Sequence, residues 1–183
     1  MQELYSRALV LDRNDINEVD GMIVFFTEQY GRISARAKSI RKPTSKLSAH
    51  LQPLSFVKVR CIRRAGPRDG FGIIDALYDE TMEHLQTKKR HDLLPLIRFL
   101  SSATFDLQTD HQLWHFLIRV FEKKYDPAHV ARAALKLFGV WDENALCAQC
   151  AKSPIHVFHI QQEKFFCNSC ASQFHLQDVF PLA

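Results

Sequence analysis

Residues 30–38 read Tyr-Gly-Arg-Ile-Ser-Ala-Arg-Ala-Lys, which combines a tight-turn signal with strict alternation. The first two residues mark the turn. Arg32, Arg36 and Lys38 then share one side of the segment, while Ile33 and two alanines take the other. Because side chains on a β-strand alternate between its two faces, the stretch predicts a strand with one basic face and one core face.

Four further segments with strand character lie on either side of this one. They are Leu4–Leu11, Met22–Thr27, Leu54–Ile62 and Phe71–Tyr78. Five short antiparallel strands within about 75 residues predict a small closed barrel, and the OB architecture is the usual five-stranded form that binds nucleic acid. An SH3-like barrel is the alternative. We place this domain at residues 1–79.

Beyond residue 79 the apolar residues recur with the helical period of 3.6. The predicted helices are Leu93–Leu100, Leu113–Phe121 and a segment running from the N-cap Asp126 to a stop at Gly139. The apolar residues would form a stripe along one face of each helix, which is typical of a helical core, and we expect Trp114 and Trp141 to pack in that core. The predicted fold class is therefore α+β and multidomain, with an OB-like barrel followed by a helical domain at 80–183 that carries a zinc hairpin.

Four of the five cysteines form two C-x-x-C pairs, Cys147 with Cys150 and Cys167 with Cys170, separated by sixteen residues. This spacing is typical of a tetrahedral four-thiolate zinc site. Four thiolates leave no open coordination position, so the expected Zn²⁺ is structural. Disulfides are the alternative, but nothing suggests export, and a thioredoxin-type redox site needs only one pair.

Two histidines, His156 and His159, lie between the cysteine pairs. Either could replace a cysteine as a zinc ligand, since imidazole is a common ligand of this metal. We expect them instead on the surface of the hairpin that joins the pairs. The predicted strands of that hairpin are 154–160 and 163–166, and we expect the metal to pin it against the helices.

The formal net charge of +4 is distributed unevenly along the chain. Residues 29–68 contain eleven Lys or Arg and no Asp or Glu, whereas the remainder holds 13 basic and 20 acidic residues. Such segregation favours a nucleic acid as the partner over a merely solvated face. The predicted DNA-binding residues are Arg32, Arg36, Lys38, Arg41, Lys42, Lys46, Lys58, Arg60, Arg63, Arg64 and Arg68.

Phe56 shares strand parity with two of these cations, Lys58 and Arg60, and could offer a platform for base stacking. The alternative, which we favour, is that Phe56 packs against a neighbouring element.

Enzymatic motifs are missing from the sequence. It has no P-loop, no H-E-x-x-H and no G-x-S-x-G, so we expect a protein that is not an enzyme. Asp75 and Asp79 could in principle hold Mg²⁺ for a nuclease, but they lie outside the basic tract. No apolar run approaches the length of a membrane span, and the first eleven residues do not have the apolar core of a signal peptide. A cytoplasmic location is therefore expected.

Several of these segments together resemble the bacterial RecO family of recombination mediators, in its zinc-bearing form. The segments are Ala8-Leu-Val-Leu11, Asp15-x-x-Glu18-x-Asp20, Phe26-Thr27, the 30–38 stretch, and the loop Arg41-Lys-Pro-Thr-Ser-Lys46 leading to Leu51-Gln-Pro-Leu54. The resemblance covers the barrel, helices and zinc segment in order. The chain is shorter than members of this family usually are, and we expect the shortfall in the helical half.

The resemblance implies a non-catalytic, nucleoid-associated protein of recombinational repair. Such a protein binds single- and double-stranded DNA, anneals complementary strands, and associates with RecR and single-stranded DNA-binding protein. It thereby helps to load RecA in the RecF pathway. The alternative is an RNA-binding factor of translation or transcription with a zinc ribbon and an OB barrel, which would share both the basic barrel and the metal site.

Overall fold

The computed structural model describes residues 2–64, 70–82, 85, 91–123 and 125–182. Five strands close into a barrel in the order β1-β2-β3-β5-β4. They are β1 (Gln2–Asp15), β2 (Gly21–Thr27), β3 (Gly31–Ala37), β4 (Phe56–Arg64) and β5 (Gly70–Tyr78). A four-residue helix, α1 (Leu47–His50), precedes β4. This arrangement confirms the OB-like barrel.

One pair of strands differs from the all-antiparallel expectation. β3 and β5 pair in parallel, through Ala35 opposite Phe71, whereas the other neighbours run antiparallel. The cause is geometric, because strand direction cannot alternate all the way around a closed ring of five. The parallel pair is where the barrel closes.

The interior of the barrel follows the alternation read from the sequence. On β3, Gly31, Ile33, Ala35 and Ala37 are buried, while the residues between them are partly exposed. The same core contains buried residues from the other strands: Val10, Ile23, Phe25, Val57, Val59 and Cys61. Burial raises the pKa of the Cys61 thiol to about 12, so this cysteine is an inert core residue.

The outer face of β1, β2 and β4 is buried at one end of the barrel. Leu9, Phe26 and Phe56 have the parity opposite to the barrel core and are nevertheless almost fully buried. A helix, α3 (His111–Glu122), supplies part of the cover. Its Trp114 ring lies 6.5 Å from that of Phe26 and 6.2 Å from that of Phe56. The apolar runs of β1 and β2 are continuous because both of their faces are covered here.

Two sequence predictions are decided by this packing. Trp114 was expected within the helical half, but it packs on barrel strands instead, which corrects that prediction. Phe56 also contacts Phe121, with ring centroids 4.9 Å apart. The packing alternative for Phe56 is confirmed, since a side chain covered in this way offers no face to a base.

A loop before α3 runs along the β2–β3 turn. The Leu107 N–H donates to the Arg32 carbonyl at 2.9 Å, and the Thr109 hydroxyl donates to the Gln29 carbonyl at the same distance. Gly31 adopts φ +67°, and a Cβ placed on it would lie 1.8 Å from the Gln108 carbonyl oxygen. The loop therefore passes where any side chain at position 31 would be, and only glycine fits.

The chain divides into two compact units, residues 1–90 with 104–122 and residues 91–103 with 123–183. The first unit thus combines the barrel with α3. The domain boundary placed between residues 79 and 80 stays a prediction, because compactness describes packing and not independent folding. Among the described residues, no helix combines the length and apolarity that a membrane crossing requires.

The described part of the second unit contains two helices of ten or more residues and a small sheet. The helices are α2 (Leu94–Ala103) and α4 (Pro127–Leu137), and the sheet has the order β7-β6-β8 with β6 (Val157–His159), β7 (Lys164–Phe166) and β8 (Val179–Pro181). Asp126 caps α4 by accepting from the His129 N–H at 3.0 Å, as predicted. Phe99 of α2 lies against Phe158 and Phe180 of the sheet, with ring centroids 6.1 and 5.4 Å away.

Candidate metal centre and nucleic-acid interface

The four paired cysteines converge on one point in the second unit. The sulfur atoms of Cys147, Cys150, Cys167 and Cys170 all lie within 4.8 Å of one another. The Cys150 and Cys167 sulfurs are 3.7 Å apart. Sulfurs at about 2.3 Å from a tetrahedral zinc ion are separated by about 3.8 Å, whereas a disulfide needs about 2.05 Å. The cluster therefore fits a metal ion and not a pair of disulfides.

Backbone hydrogen bonds hold the two cysteine pairs on the β6–β7 hairpin. The Ala148 N–H donates to the Phe165 carbonyl at 2.9 Å, which ties the first pair to β7. The second pair follows β7 directly, where Cys167 stands at the N-cap of the short helix α5 (Asn168–Ala171). Both pairs thus depend on the register of this hairpin.

The thiols do not ionise alike in this cluster. Burial opposes ionisation of Cys147, but N–H groups of Cys167, Cys150 and Gln149 point at its sulfur and lower its pKa to about 6. Burial, together with hydrogen bonding to the neighbouring thiols, raises the pKa of Cys170 to about 12. Four thiolates cannot coexist at this spacing without a cation, which is the condition that a bound divalent metal satisfies.

The two histidines of the hairpin stay outside the metal set. His156 turns its Nδ1 to the Pro154 carbonyl at 3.2 Å. His159 is only 6% exposed, so the expectation that it lies on the surface is wrong. Its ring packs edge-on against Phe174 at 4.5 Å and its Nδ1 accepts from the Gln162 N–H. His159 is thus part of the aromatic core that supports the hairpin.

The predicted DNA-binding arginines of β3 lie on its outer face, as the alternation implied, but both are engaged by carboxylates. Arg36 donates to Asp20, with its Nε 3.0 Å from Oδ2. Arg32 lies 3.6 Å from Asp106 and donates to the Thr104 carbonyl at 3.1 Å. These acids come from outside the 29–68 tract, so the charge segregation seen along the sequence is partly cancelled in space.

Asp20 joins the loop after β3 to the turn between β1 and β2. Its Oδ1 accepts from the Ser39 N–H at 2.6 Å, and its other oxygen accepts from Arg36. The Ser39 N–H and then the Arg36 guanidinium lower the pKa of this carboxyl below its usual range. Sequence reasoning did not assign a role to Asp20, although an aspartate that follows a polar turn is a common loop anchor.

The loop that Asp20 anchors carries three exposed lysines, Lys38, Lys42 and Lys46. Within the described part of the chain, no carboxylate pairs with their ammonium groups. Arg41 of the same loop differs, since it lies 3.3 Å from Asp15 and donates to the Asn17 carbonyl. The three lysines are therefore cations held on an anchored loop and open to solvent.

Among the predicted cations of β4, one is paired with a carboxylate and another is not. Lys58 lies 3.5 Å from the buried carboxylate of Asp79. Arg60 is exposed and, among the described residues, has no ion pair. Arg63 is exposed on the same strand, and Arg64 ends it. Arg68 lies outside the described residues.

Comparison with known proteins identifies the barrel. A family model described as "Recombination protein O N terminal" matches residues 1–68. A protein named DNA repair protein RecO from Actinobacillus pleuropneumoniae serotype 7 is 42% identical over 60 residues, which cover 33% of this chain and 25% of that protein. The similarity is thus highest over a short segment.

Longer matches extend beyond the barrel. Proteins of the same name from Thermodesulfovibrio yellowstonii and Heliobacterium modesticaldum are 24% identical over 182 residues and 26% identical over 160 residues. These matches cover 93% and 83% of this chain, and 71% and 57% of the relatives. The chain therefore aligns with these relatives from the barrel into the metal-bearing unit.

Proposed function

We propose that this chain is a member of the RecO family and that it acts in DNA repair as a non-catalytic protein, which binds single- and double-stranded DNA and anneals complementary strands. The observation that carries the proposal is the anchored loop on a closed OB-like barrel, with three exposed lysines that no carboxylate of the described residues pairs. It lies within the residues that match the family model.

Binding on this surface is electrostatic. Lys38, Lys42 and Lys46 can each approach a phosphate without leaving a carboxylate, and every contact releases counterions from the DNA. Arg32 and Arg36 must exchange Asp106 and Asp20 for phosphate, so they contribute less to the initial encounter. Annealing follows because neutralised backbones repel less, while lysines on phosphates leave the base edges free to pair.

The four cysteines hold one structural Zn²⁺ in this proposal. The thiolate donor set suits zinc, and all four positions are taken by protein, so no site remains for a substrate. The ion, when bound, supplies the positive charge that lets the four sulfurs ionise together and thereby fixes the β6–β7 hairpin. The metal thus supports the second unit and takes no part in DNA chemistry.

The family relationship supports the remaining partners. We propose association with RecR and with single-stranded DNA-binding protein, an indirect action on RecA loading in the RecF pathway, and a cytoplasmic location at the nucleoid. The names of the relatives favour DNA over RNA as the substrate. A competition between RNA and single-stranded DNA for the protein tests this preference.

Strand annealing tests the central proposal. Complementary oligonucleotides are mixed with the protein, bare or coated with single-stranded DNA-binding protein, with neither ATP nor Mg²⁺ present. We expect annealing in both cases, and its loss when Lys38, Lys42 and Lys46 are replaced by Gln. If only bare strands anneal, DNA binding stands and the mediator role fails; a requirement for ATP contradicts the mechanism.

A further inference from the structure

We propose that Tyr5 and Arg60 form a base-stacking subsite for single-stranded DNA on the outer face of β1 and β4. This inference rests on the proposed function, and it adds Tyr5, to which the sequence did not point, to Arg60, which was already a predicted DNA-binding residue. Tyr5 would stack on one unpaired base while Arg60 contacts the adjoining phosphate.

The two side chains are direct neighbours across the sheet. Tyr5 of β1 is the register partner of Arg60 of β4, and cross-strand partners point to the same face. The Tyr5 side chain is 59% exposed. No other ring among the described residues stacks on it. An aromatic face of this size left open beside a cation matches what single strands require.

The charges around Tyr5 leave Arg60 as the available cation. Arg7, two residues along β1, donates its Nε to Glu28 at 2.8 Å. Lys58 is held by Asp79. Asp75 is the other register partner of Arg60, but its Oδ1 accepts from the Ala76 N–H at 2.9 Å. Among the described residues Arg60 makes no ion pair, with Asp75 or with another acid, so its guanidinium can contact a phosphate beside Tyr5.

The acidic neighbour Glu3 limits how the DNA strand can run. It is exposed on the same face of β1, opposite Ile62 of β4. A phosphate backbone would be repelled from that end and attracted towards Arg60. The strand is thus expected to cross β4 with one base turned onto Tyr5.

Phe56 shows why this subsite was missed. It has the same parity on β4 as Arg60 and was the aromatic that the sequence suggested, but Trp114 and Phe121 cover it. The outer face of β4 is therefore covered at Phe56 and open at Arg60. Only the open end can receive a base.

Stacking predicts a preference for single strands, because a duplex hides the faces of its bases. The test compares Tyr5→Ala and Tyr5→Phe with the wild-type protein, using an oligo-dT single strand and a blunt duplex at several salt concentrations. Fluorescence anisotropy gives both affinities. The matched control is Phe105→Ala, which removes another exposed ring, 68% accessible, from the loop beside β3.

We expect Tyr5→Ala to weaken oligo-dT binding about 5- to 100-fold while leaving duplex affinity and the salt dependence unchanged. Tyr5→Phe and Phe105→Ala should bind like the wild type. Arg60→Gln should lower the salt dependence for oligo-dT by about one phosphate contact. Circular dichroism of each variant confirms that the barrel remains folded.

Three outcomes would overturn the inference. Unchanged oligo-dT affinity in Tyr5→Ala removes the subsite and leaves this face to a protein partner. An equal loss on the duplex shows that Tyr5 does not stack on bases. A wild-type protein that binds neither DNA overturns the proposed function itself, and this result is distinct from the other two.

Discussion

The two compact units of this protein are stabilised by different means. The barrel unit buries a continuous core of alternating apolar residues and a second apolar layer under α3. The other unit has a smaller core in which Phe99, Phe158 and Phe180 meet, and its hairpin carries the four-sulfur cluster. Each unit contains one tryptophan, Trp114 in the first and Trp141 in the second.

The first unit is thus specified by packing, whereas the second also depends, in our proposal, on a metal held by its four cysteines. In the second unit the hairpin strands have three residues each, so we expect a metal bound at the cluster to contribute much of the stability of the hairpin. The tryptophans allow the two units to be observed separately.

Metal removal should have the largest effect on stability, and it tests most directly whether the second unit depends on a metal while the barrel unit does not. Chelation, or Cys147→Ser, should unfold the hairpin, because structural zinc contributes about 10 kcal/mol or more of binding free energy at neutral pH. Fluorescence of a Trp114→Phe variant, in which Trp141 is the remaining reporter, should change, since Trp141 packs on Phe165 of β7. A Trp141→Phe variant should show an unchanged Trp114 signal and unchanged DNA affinity.

Elemental analysis provides the control for that experiment. The wild-type protein should contain one zinc ion, and Cys61→Ser should retain it because Cys61 lies in the barrel core. Native protein without bound zinc would contradict both the site and the contrast drawn between the units.

Gly31→Ala should give the next largest effect, confined to the barrel unit. The new Cβ would meet the Gln108 carbonyl, and φ +67° is itself unfavourable for alanine, so we expect a loss of about 3 kcal/mol in unfolding free energy. Urea unfolding measures this, followed by Trp114 fluorescence for position 31 and by Trp141 fluorescence for the control, which lies in the second unit. Gly139→Ala is the matched control, since it has a similar φ of +69° but no neighbour within 4 Å of the added Cβ.

If both glycine variants lose the same stability, the loop before α3 does not press on position 31. Zinc content should be normal in either case, which keeps the effect separate from the metal site.

A smaller effect is expected from the loop that carries the three exposed lysines. Replacing Lys38, Lys42 and Lys46 with Gln should reduce the slope of log affinity against log salt by about two for single strands, because each lost phosphate contact contributes about 0.7. Arg32→Gln and Arg36→Gln together should reduce it less, since both cations are already paired. An equal or greater loss in the arginine variant would show that the ion pairs open on binding.

The smallest effect concerns the acid stability of the barrel unit. Asp20 has a pKa lowered by the Ser39 N–H and by Arg36, so its contribution to stability is present above the ordinary pKa of an aspartate and is lost as pH falls through the lowered value. Asp20→Asn should therefore be less stable than wild type at neutral pH. The gap should close in strongly acidic solution.

Thermal unfolding at pH values from neutral to acidic measures this difference in stability between the wild type and Asp20→Asn. Asp12→Asn, which changes a carboxylate on β1, is the control. A constant difference at all pH values would mean that the amide disturbs packing and that the ionisation of Asp20 is unimportant.

Most of the barrel could be predicted from the sequence because local alternation encodes it. Ile33, Ala35 and Ala37 identify the core side of β3 without knowledge of its neighbours. The cysteine pairs were equally informative, since ligand spacing reflects the geometry of the metal. Both signals are local, and local signals need no tertiary information.

The parts that could not be predicted depend on distant residues. Arg32 pairs with Asp106, which is remote in the sequence. Lys58 of β4 pairs with Asp79, which follows β5. Trp114 lies about a hundred residues after the strand that begins the face it covers. The alternation along β1 places Tyr5 on the outer face of the barrel. Whether Tyr5 is exposed there depends on how much of that face α3 covers, which the sequence does not show.

The late position of α3 in the chain also has a consequence during synthesis. All five barrel strands emerge from the ribosome before the helix that carries Trp114, so Leu9, Phe26 and Phe56 face water while the rest of the unit is being made. A fragment that ended at residue 79 would lack this helix, and these apolar side chains would stay exposed to water. Recombinant versions of the barrel should therefore include residues 104–122, and nascent chains of intermediate length should be clients for chaperones.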